Sequence, residues 1–286
     1  MVLQLLERLL VALLQNKINY KAVEIEDLMD LYFYHPLGYI FAVFFNKIGF
    51  TPNLVSIISM IIGVIGGVFI YYGKFMFASF LIVFSSVLDS SDGQLARISG
   101  KTSLYGRIID GLVGYVIFTS VYISIFLRYY LDYGYFKFLI LMFIAGFFNS
   151  LHASIYDFYR TSYISVMRKK FDDIFFKQKD TFYSKIYNIY SYLQRTLCFI
   201  HIQVIKKFKN LDYDEEKISI YKKKMLSNIQ LINLLGDNWR INGLIILSFI
   251  NRIDWFYFYI IFIMNAVMFL VILKQRKIDR ELLEDL

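Results

Sequence analysis

The chain has 286 residues, of which 58% are hydrophobic and 19% aromatic, and its mean hydropathy is +0.51. A soluble domain of this length carries fewer apolar residues, so the composition predicts an all-α integral membrane protein. The formal net charge is +8, and the single cysteine excludes an internal disulfide. Because no Cys and His cluster has zinc-ligand spacing, we expect any metal ion to be held by oxygen ligands.

The amino-terminal 20 residues carry leucines at helical spacing, namely Leu3, Leu6, Leu10, Leu13 and Leu14. This pattern predicts an amphipathic helix that lies on the bilayer surface, although a helix that binds a partner protein has a similar pattern. An acid inside the apolar run and the lack of a small-residue cleavage site argue against a removable signal peptide. Residues 1–52 are therefore predicted to form an amphipathic and juxtamembrane segment.

Six apolar stretches follow that fit transmembrane helices, each of which needs about 20 residues. Four lie within residues 53–158, and two more, of which the fifth is short, lie between residues 239 and 272, separated by the polar sequence Asn-Arg-Ile-Asp. The predicted domains are residues 53–158 with spans one to four, a basic insertion at 159–237, and 238–286 with spans five and six. In span one, Gly63 and Gly67 have the spacing of small residues that pack against another helix.

The distribution of charge predicts the orientation in the membrane. Residues 160–224 contain 15 Lys and Arg against 7 Asp and Glu. The positive-inside rule places this insertion in the cytoplasm, where its bases and aromatics at helical spacing predict an extended helical segment. Both termini, and the polar junction of spans two and three, then face the cytoplasm of a plasma or inner membrane. A nucleic-acid surface would be similarly basic, but the adjoining apolar chain argues against a nucleic-acid partner.

Three aspartates, Asp89, Asp92 and Asp110, interrupt the apolar pattern where span two ends and span three begins. An ionisable side chain inside a span costs about 2.5 to 3.5 kcal/mol near the helix centre, so its default interpretation is functional. Clustered carboxylates favour Mg²⁺ or Mn²⁺, whose usual partners are phosphates. The alternative is that these acids cap helix ends or form ion pairs with the nearby bases Arg97, Lys101 and Arg107.

Small residues accompany the acids on both helices. Gly93 and Ala96 lie on or beside the helix face that carries the first two aspartates, which leaves room for a ligand. On the next helix, Gly106, Asp110 and Gly114 repeat at intervals of four residues. The two helices together predict a slot lined by carboxylates.

The acids and small residues follow the order Asp-x-x-Asp-Gly-x-x-Ala-Arg, eight residues, then Gly-x-x-x-Asp, from Asp89 to Asp110. This order resembles the sequence motif of the CDP-alcohol phosphotransferases, membrane enzymes that make phospholipids and related headgroup compounds. The chain matches every fixed position of that motif except the last. The resemblance extends to residues 35–56, which are similar to the helix and Thr-Pro-Asn sequence that precede the first span.

The resemblance implies a transfer of a substituted phosphate from a CDP-alcohol to an acceptor hydroxyl, with release of CMP. It implies Mg²⁺ or Mn²⁺ as the cofactor, with Asp89, Asp92 and Asp110 as ligands. The residues implied to bind the CDP moiety are Gly93, Ala96, Arg97 and Gly106. The implied partners are the donor, the acceptor alcohol and membrane lipids, and a homodimer is compatible with the resemblance.

The motif of the family ends in a fourth aspartate, and this chain has Gly114 there. The resemblance implies that this acid is the general base for the acceptor hydroxyl, a role commonly worth about 10² to 10⁴ in rate. Three interpretations stay open: another residue takes the proton, the acceptor needs no strong base, or the protein binds nucleotide, metal or a partner without turnover. Outside the family, an ion-coupled transporter would also place acids inside its spans.

His152 and Asp157, at the end of span four, are the candidate substitute bases. A histidine has a suitable pKa and a carboxylate a suitable chemistry for accepting the proton. The alternative is that His152 packs as a satisfied histidine and that Asp157 pairs with Arg160 or Lys169. The other histidines, His35 and His201, have no partner that the sequence reveals.

Overall fold

The computed structural model describes residues 23–101, 104–171, 194–210 and 214–285, which are predominantly helical and include no strand. The predicted all-α class is confirmed. The predicted amphipathic helix of the amino-terminal 20 residues lies outside the described residues. The chain divides into two compact units. The first comprises the described residues up to Gly146 with Ile241–Tyr257, and the second comprises Phe147–Arg240 with Phe258–Leu286.

Short connections join the first five main helices. In chain order, α1 is His35–Lys47, α2 Pro52–Tyr71, α3 Phe75–Ser99, α4 Leu104–Tyr133 and α5 Lys137–Arg168. Further along the chain come α6 at Phe199–Asn210, α7 at Glu215–Asn233, α8 at Asp237–Phe249 and α9 at Ile253–Asp285. The described parts of the predicted insertion at 159–237 are thus largely helical, and the predicted domain bounds stay predictions.

Five of the described helices are long and apolar enough to cross a membrane, namely α2, α3, α4 from Gly111 onward, α5 and α9. The predicted fifth span coincides with α8, which has 13 residues. At 1.5 Å per residue, α8 is about 20 Å long, shorter than the hydrocarbon layer of about 30 Å. It ends before Asn251, whose backbone is left-handed with φ of 56°. The six-span count therefore stays a prediction.

Local signals begin and end the helices of the first unit. Thr51 caps the amino terminus of α2, and the proline that follows it suits the first helical turn. Gly73, with φ of 73°, provides the left-handed backbone of the tight turn into α3. Arg128 of α4 donates a hydrogen bond to the carbonyl oxygen of Tyr71, 2.9 Å away, at the end of α2. Gly100, with φ of 68°, ends α3.

Two glycines of α2 allow α3 and α4 to approach its backbone closely. A Cβ atom on Gly63 would lie 2.5 Å from Cδ1 of Ile117 and 2.8 Å from Oγ of Ser85. A Cβ atom on Gly67 would collide with the Oγ of Ser120 and lie 3.0 Å from its backbone carbon. Real Cβ atoms almost never lie this close to other atoms, so a side chain at either position would force its neighbours to move. The predicted packing role of Gly63 and Gly67 is therefore confirmed.

Substitution of Gly67 by alanine tests this contact. We expect Gly67→Ala to destabilise the protein by about 1 to 3 kcal/mol, because the added methyl group overpacks the interface with α4. The matched control is Gly146→Ala on α5, where a Cβ atom meets no described atom within 4 Å. That control should be neutral or stabilising, because alanine has the higher helix propensity. Thermal unfolding in detergent measures the stability of both variants. Equal melting temperatures for Gly67→Ala and Gly146→Ala would contradict a close contact at Gly67.

A chain of buried polar side chains stabilises the second unit. His201 of α6 donates from Nδ1 to Oδ1 of Asp279 on α9, at 2.7 Å, and both side chains are nearly inaccessible. Gln275 also donates to Asp279 Oδ1, at 2.9 Å, and accepts a bond from Asn228 of α7 at 2.9 Å. Beside them, burial raises the pKa of the Cys198 thiol to about 12.

Candidate functional site

The residues of the first half of the motif lie together on one face of α3, as predicted. Their positions, Asp89, Asp92, Gly93, Ala96 and Arg97, are separated by three or four residues, which aligns side chains along a helix. Asp92 is 3% exposed, Asp89 is partly buried, and the side chain of Arg97 is exposed. The face therefore runs from a buried carboxylate to an exposed guanidinium.

Ser56 of α2 holds the buried carboxylate of Asp92. Its hydroxyl donates a hydrogen bond to Oδ2 of Asp92, and Ser56 itself is 2% exposed. A buried carboxylate keeps its charge at moderate cost only where such donors surround it. The sequence did not reveal this residue, because Ser56 lies 36 positions before its partner.

The surface around Gly93 differs from that around the packing glycines. A Cβ atom on Gly93 would meet only Nη1 of Arg97, at 3.6 Å, among the described atoms within 4 Å. On Gly38 of α1, by contrast, a Cβ atom would lie 2.8 Å from Oγ of Ser90. Packing by the described residues therefore does not explain a glycine at position 93. The hard oxygen donors of the neighbouring Asp89 and Asp92 suit a divalent cation.

The second half of the motif lies in the first turns of α4. Gly106 and Gly114 are partly buried, and the backbone of Asp110 is helical. The side chain of Asp110 lies outside the described part of the structure. The proposed metal ligands and nucleotide-binding residues therefore stay predictions.

The candidate bases lie on α5 in the second compact unit. His152 is fully buried, and its Nε2 lies 2.9 Å from Oδ1 of Asn265. Since the Asn265 amide nitrogen donates to the carbonyl oxygen of Ile261, Oδ1 is the acceptor and His152 donates from Nε2. Nδ1 of the neutral ring then carries a lone pair, and it has no hydrogen-bond partner among the described residues. Asp157 is exposed.

These helices and this motif define a membrane-spanning helical protein with acids placed at the junction of two spans. Residues 50–205 match the family model for CDP-alcohol phosphatidyltransferase. That region is more than half of the chain and contains the whole motif. The chain belongs to the CDP-alcohol phosphatidyltransferase family, which confirms the resemblance found in the motif.

The chain is also similar to parts of several curated proteins. It is 31% identical over 67 residues to archaetidylinositol phosphate synthase of Pyrococcus horikoshii, covering 23% of this chain and 36% of that protein. It is 31% identical over 90 residues to CDP-diacylglycerol–serine O-phosphatidyltransferase of Helicobacter pylori, covering 32% and 38%. An uncharacterised protein of Aquifex aeolicus is 30% identical over 70 residues, covering 24% and 36%. The alignments thus span little more than a third of each relative. No solved structure matches the chain.

Substitution of Ser56 tests its support of Asp92. We expect Ser56→Ala to weaken metal-dependent CMP binding about 10- to 100-fold, because residues that orient metal ligands commonly contribute that much. Ser56→Thr, which keeps the hydroxyl, should retain most of the affinity. Ser59→Ala is the matched control, because Ser59 donates to the Ser56 carbonyl oxygen on the same helix. Calorimetric titration with CMP and Mn²⁺ measures all three, and unchanged binding by Ser56→Ala would contradict the role.

Proposed function

We propose that the protein is a membrane-embedded phosphotransferase that moves a substituted phosphate from a CDP-alcohol to an acceptor hydroxyl and releases CMP. The observation that carries this proposal is the arrangement on α3, where partly buried Asp89 and buried Asp92 lie beside Gly93, whose added Cβ would meet only Arg97 among the described atoms. Family membership supports the same chemistry. An ion-coupled transporter, the alternative from the sequence, would need no residues that accommodate a nucleotide.

The aspartates are proposed to hold the metal ion and the small residues to hold the nucleotide. The carboxylates of Asp89, Asp92 and Asp110 suit Mg²⁺ or Mn²⁺, and a bound ion would neutralise charge on the reacting phosphates. The residues proposed to shape the CDP pocket are Gly93, Ala96 and Gly106. Arg97, exposed one helical turn beyond Gly93, contacts a phosphate or orients an acid.

The proposed reaction is a direct displacement at the β-phosphorus of the CDP-alcohol. The acceptor oxygen forms a bond to that phosphorus, the bond between the β-phosphorus and CMP breaks, and the acceptor proton passes to a base. Gly114 cannot take the proton. His152 offers the lone pair on Nδ1, and Asp157 offers an exposed carboxylate.

The substrates are proposed from the names of the relatives. One relative is named for transfer from CDP-diacylglycerol to serine and another for synthesis of archaetidylinositol phosphate. These names favour a CDP-linked lipid as donor and a small polar alcohol or polyol phosphate as acceptor. The excess of bases in residues 160–224 supports a site open to the cytoplasm of a plasma or inner membrane. A homodimer stays a proposal.

Gly114 favours one alternative, a family member that binds nucleotide, metal or a partner protein without turnover. In such a protein the aspartates of α3 would still bind metal and CMP. Activity measurements on variants of the motif separate this alternative from an enzyme that manages without the fourth acid.

Release of CMP is the decisive measurement. Purified protein in nanodiscs is given Mg²⁺ or Mn²⁺, CDP-diacylglycerol or other CDP-alcohols, and serine, inositol phosphate, glycerol phosphate or ethanolamine as acceptor. We expect wild type to release CMP with at least one pair, and Asp110→Asn to lose at least 100-fold, since it removes a proposed metal ligand. Gly114→Asp should be at least as active as wild type. If only Gly114→Asp releases CMP, the wild-type chain is a binding protein.

The base is tested in the same assay. We expect His152→Ala to lower kcat at least tenfold if His152 takes the proton, while Asp157→Asn stays near wild type. The double variant Gly114→Asp with His152→Ala separates loss of the base from loss of the fold. If the single variant His152→Ala is folded, a carboxylate at position 114 should restore its turnover. Wild-type rates in His152→Ala would exclude His152 as the base, and a drop in Asp157→Asn alone would assign the role to Asp157.

A further inference from the structure

Glu26, Asp30 and His35 form a second cluster of metal-ligating side chains, outside the motif. Each offers one ligand atom, and these atoms lie within 4.8 Å of one another. Nε2 of His35 is 3.9 Å from Oε2 of Glu26, and Glu26 is 8% exposed. Metal–ligand bonds of about 2.0 to 2.2 Å place ligand atoms roughly 3 to 4 Å apart, which small side-chain movements would achieve here.

A π-helical turn at Asp30–Tyr34 brings two of these side chains to one face. The backbone N–H of His35 donates to the carbonyl oxygen of Asp30, five residues earlier. In a regular α-helix, residues five apart point about 140° away from each other, whereas the wider π turn brings them closer to alignment. Single π turns of this kind frequently occur at functional sites.

Two residues of α3 hold His35 in position. Nδ1 of His35 is hydrogen-bonded to Oγ of Ser90 at 2.9 Å, so Nε2 is the ring nitrogen that faces the carboxylates. Metal-binding histidines commonly engage their second ring nitrogen in this way. Gln94, which is 2% exposed, donates to the His35 carbonyl oxygen at 2.9 Å. Its own Oε1 is buried and has no hydrogen-bond partner among the described residues.

We infer that Glu26, Asp30 and His35 form a second divalent-cation site, separate from the aspartate motif. Its mixed nitrogen and oxygen ligands favour Mn²⁺ or another first-row transition ion over Mg²⁺, which prefers oxygen ligands alone. A bound ion would tie the segment before α1 to α3 through Ser90, the neighbour of Asp89. The cation at this site would thereby regulate the position of the motif helix. The proposal uses none of the proposed catalytic residues.

The nitrogen ligand gives this site a signature that an all-aspartate site lacks. Mn²⁺ is bound to the purified full chain, freed of any histidine tag, and electron spin-echo modulation from ¹⁴N is recorded. We expect the modulation in wild type and in the double variant Asp89→Asn with Asp110→Asn, and its loss in His35→Gln. Glu26→Gln should weaken this Mn²⁺ site at least tenfold, while a 100-fold excess of Mg²⁺ leaves the ¹⁴N signal in place.

Several results would overturn the inference. Wild type without ¹⁴N modulation would exclude a histidine ligand, whatever the variants do. Modulation that survives His35→Gln but disappears in His152→Gln would assign the ion to α5. Unchanged Mn²⁺ affinity in a folded Glu26→Gln protein would remove the carboxylate from the site. Thermal unfolding of each variant identifies any loss of fold, and the aspartate variants separate this site from the proposed catalytic one.

Discussion

The close approach of α2 to α3 and α4 is the constraint on which the candidate site depends. Apolar side chains gain little by associating inside a bilayer, so close packing and hydrogen bonds must hold the helices together. Gly63 and Gly67 allow that packing, and Ser85 of α3 adds a hydrogen bond of 2.6 Å to the Ser59 carbonyl oxygen of α2. The same helix carries Ser56, which binds the carboxylate of Asp92. The position of Asp92 therefore depends on the packing of α3 against α2, since a shift of α3 would change the helix contacts and move the carboxylate together.

Position 114 departs from the family motif without interrupting the helix that carries it. Contacts among α1, α2, α3 and α4 hold the first unit together, and Gly114 lies in the helical backbone of α4. The family match accordingly runs through this position, from residue 50 to 205. The role proposed for the missing acid is that of a general base, so we expect its loss to affect turnover more than helix packing.

Features that depend on local pattern were predictable from the sequence. The acids on one face of α3 and the packing glycines of α2 follow from helical periodicity alone. The partners of buried polar groups were not predictable, since Ser56 and Asp92 are separated by 36 positions and His201 and Asp279 by 78. Likewise, composition does not distinguish α8 from a span, because its length is set where Asn251 turns the backbone. Contacts between distant segments are set by the tertiary fold, and the periodicity of a single helix carries no information about them.

The burial of Cys198 makes the natural chain ready for thiol-specific labelling. It is the single cysteine, it is 2% exposed, and its pKa of about 12 is far above neutral pH. A buried thiol whose pKa is raised in this way stays protonated at neutral pH, and the thiolate is the reactive form. A cysteine introduced into any exposed loop would therefore react with a membrane-impermeant maleimide, while Cys198 would contribute little labelling of its own. The sidedness of each loop is thus accessible without first building a cysteine-free protein.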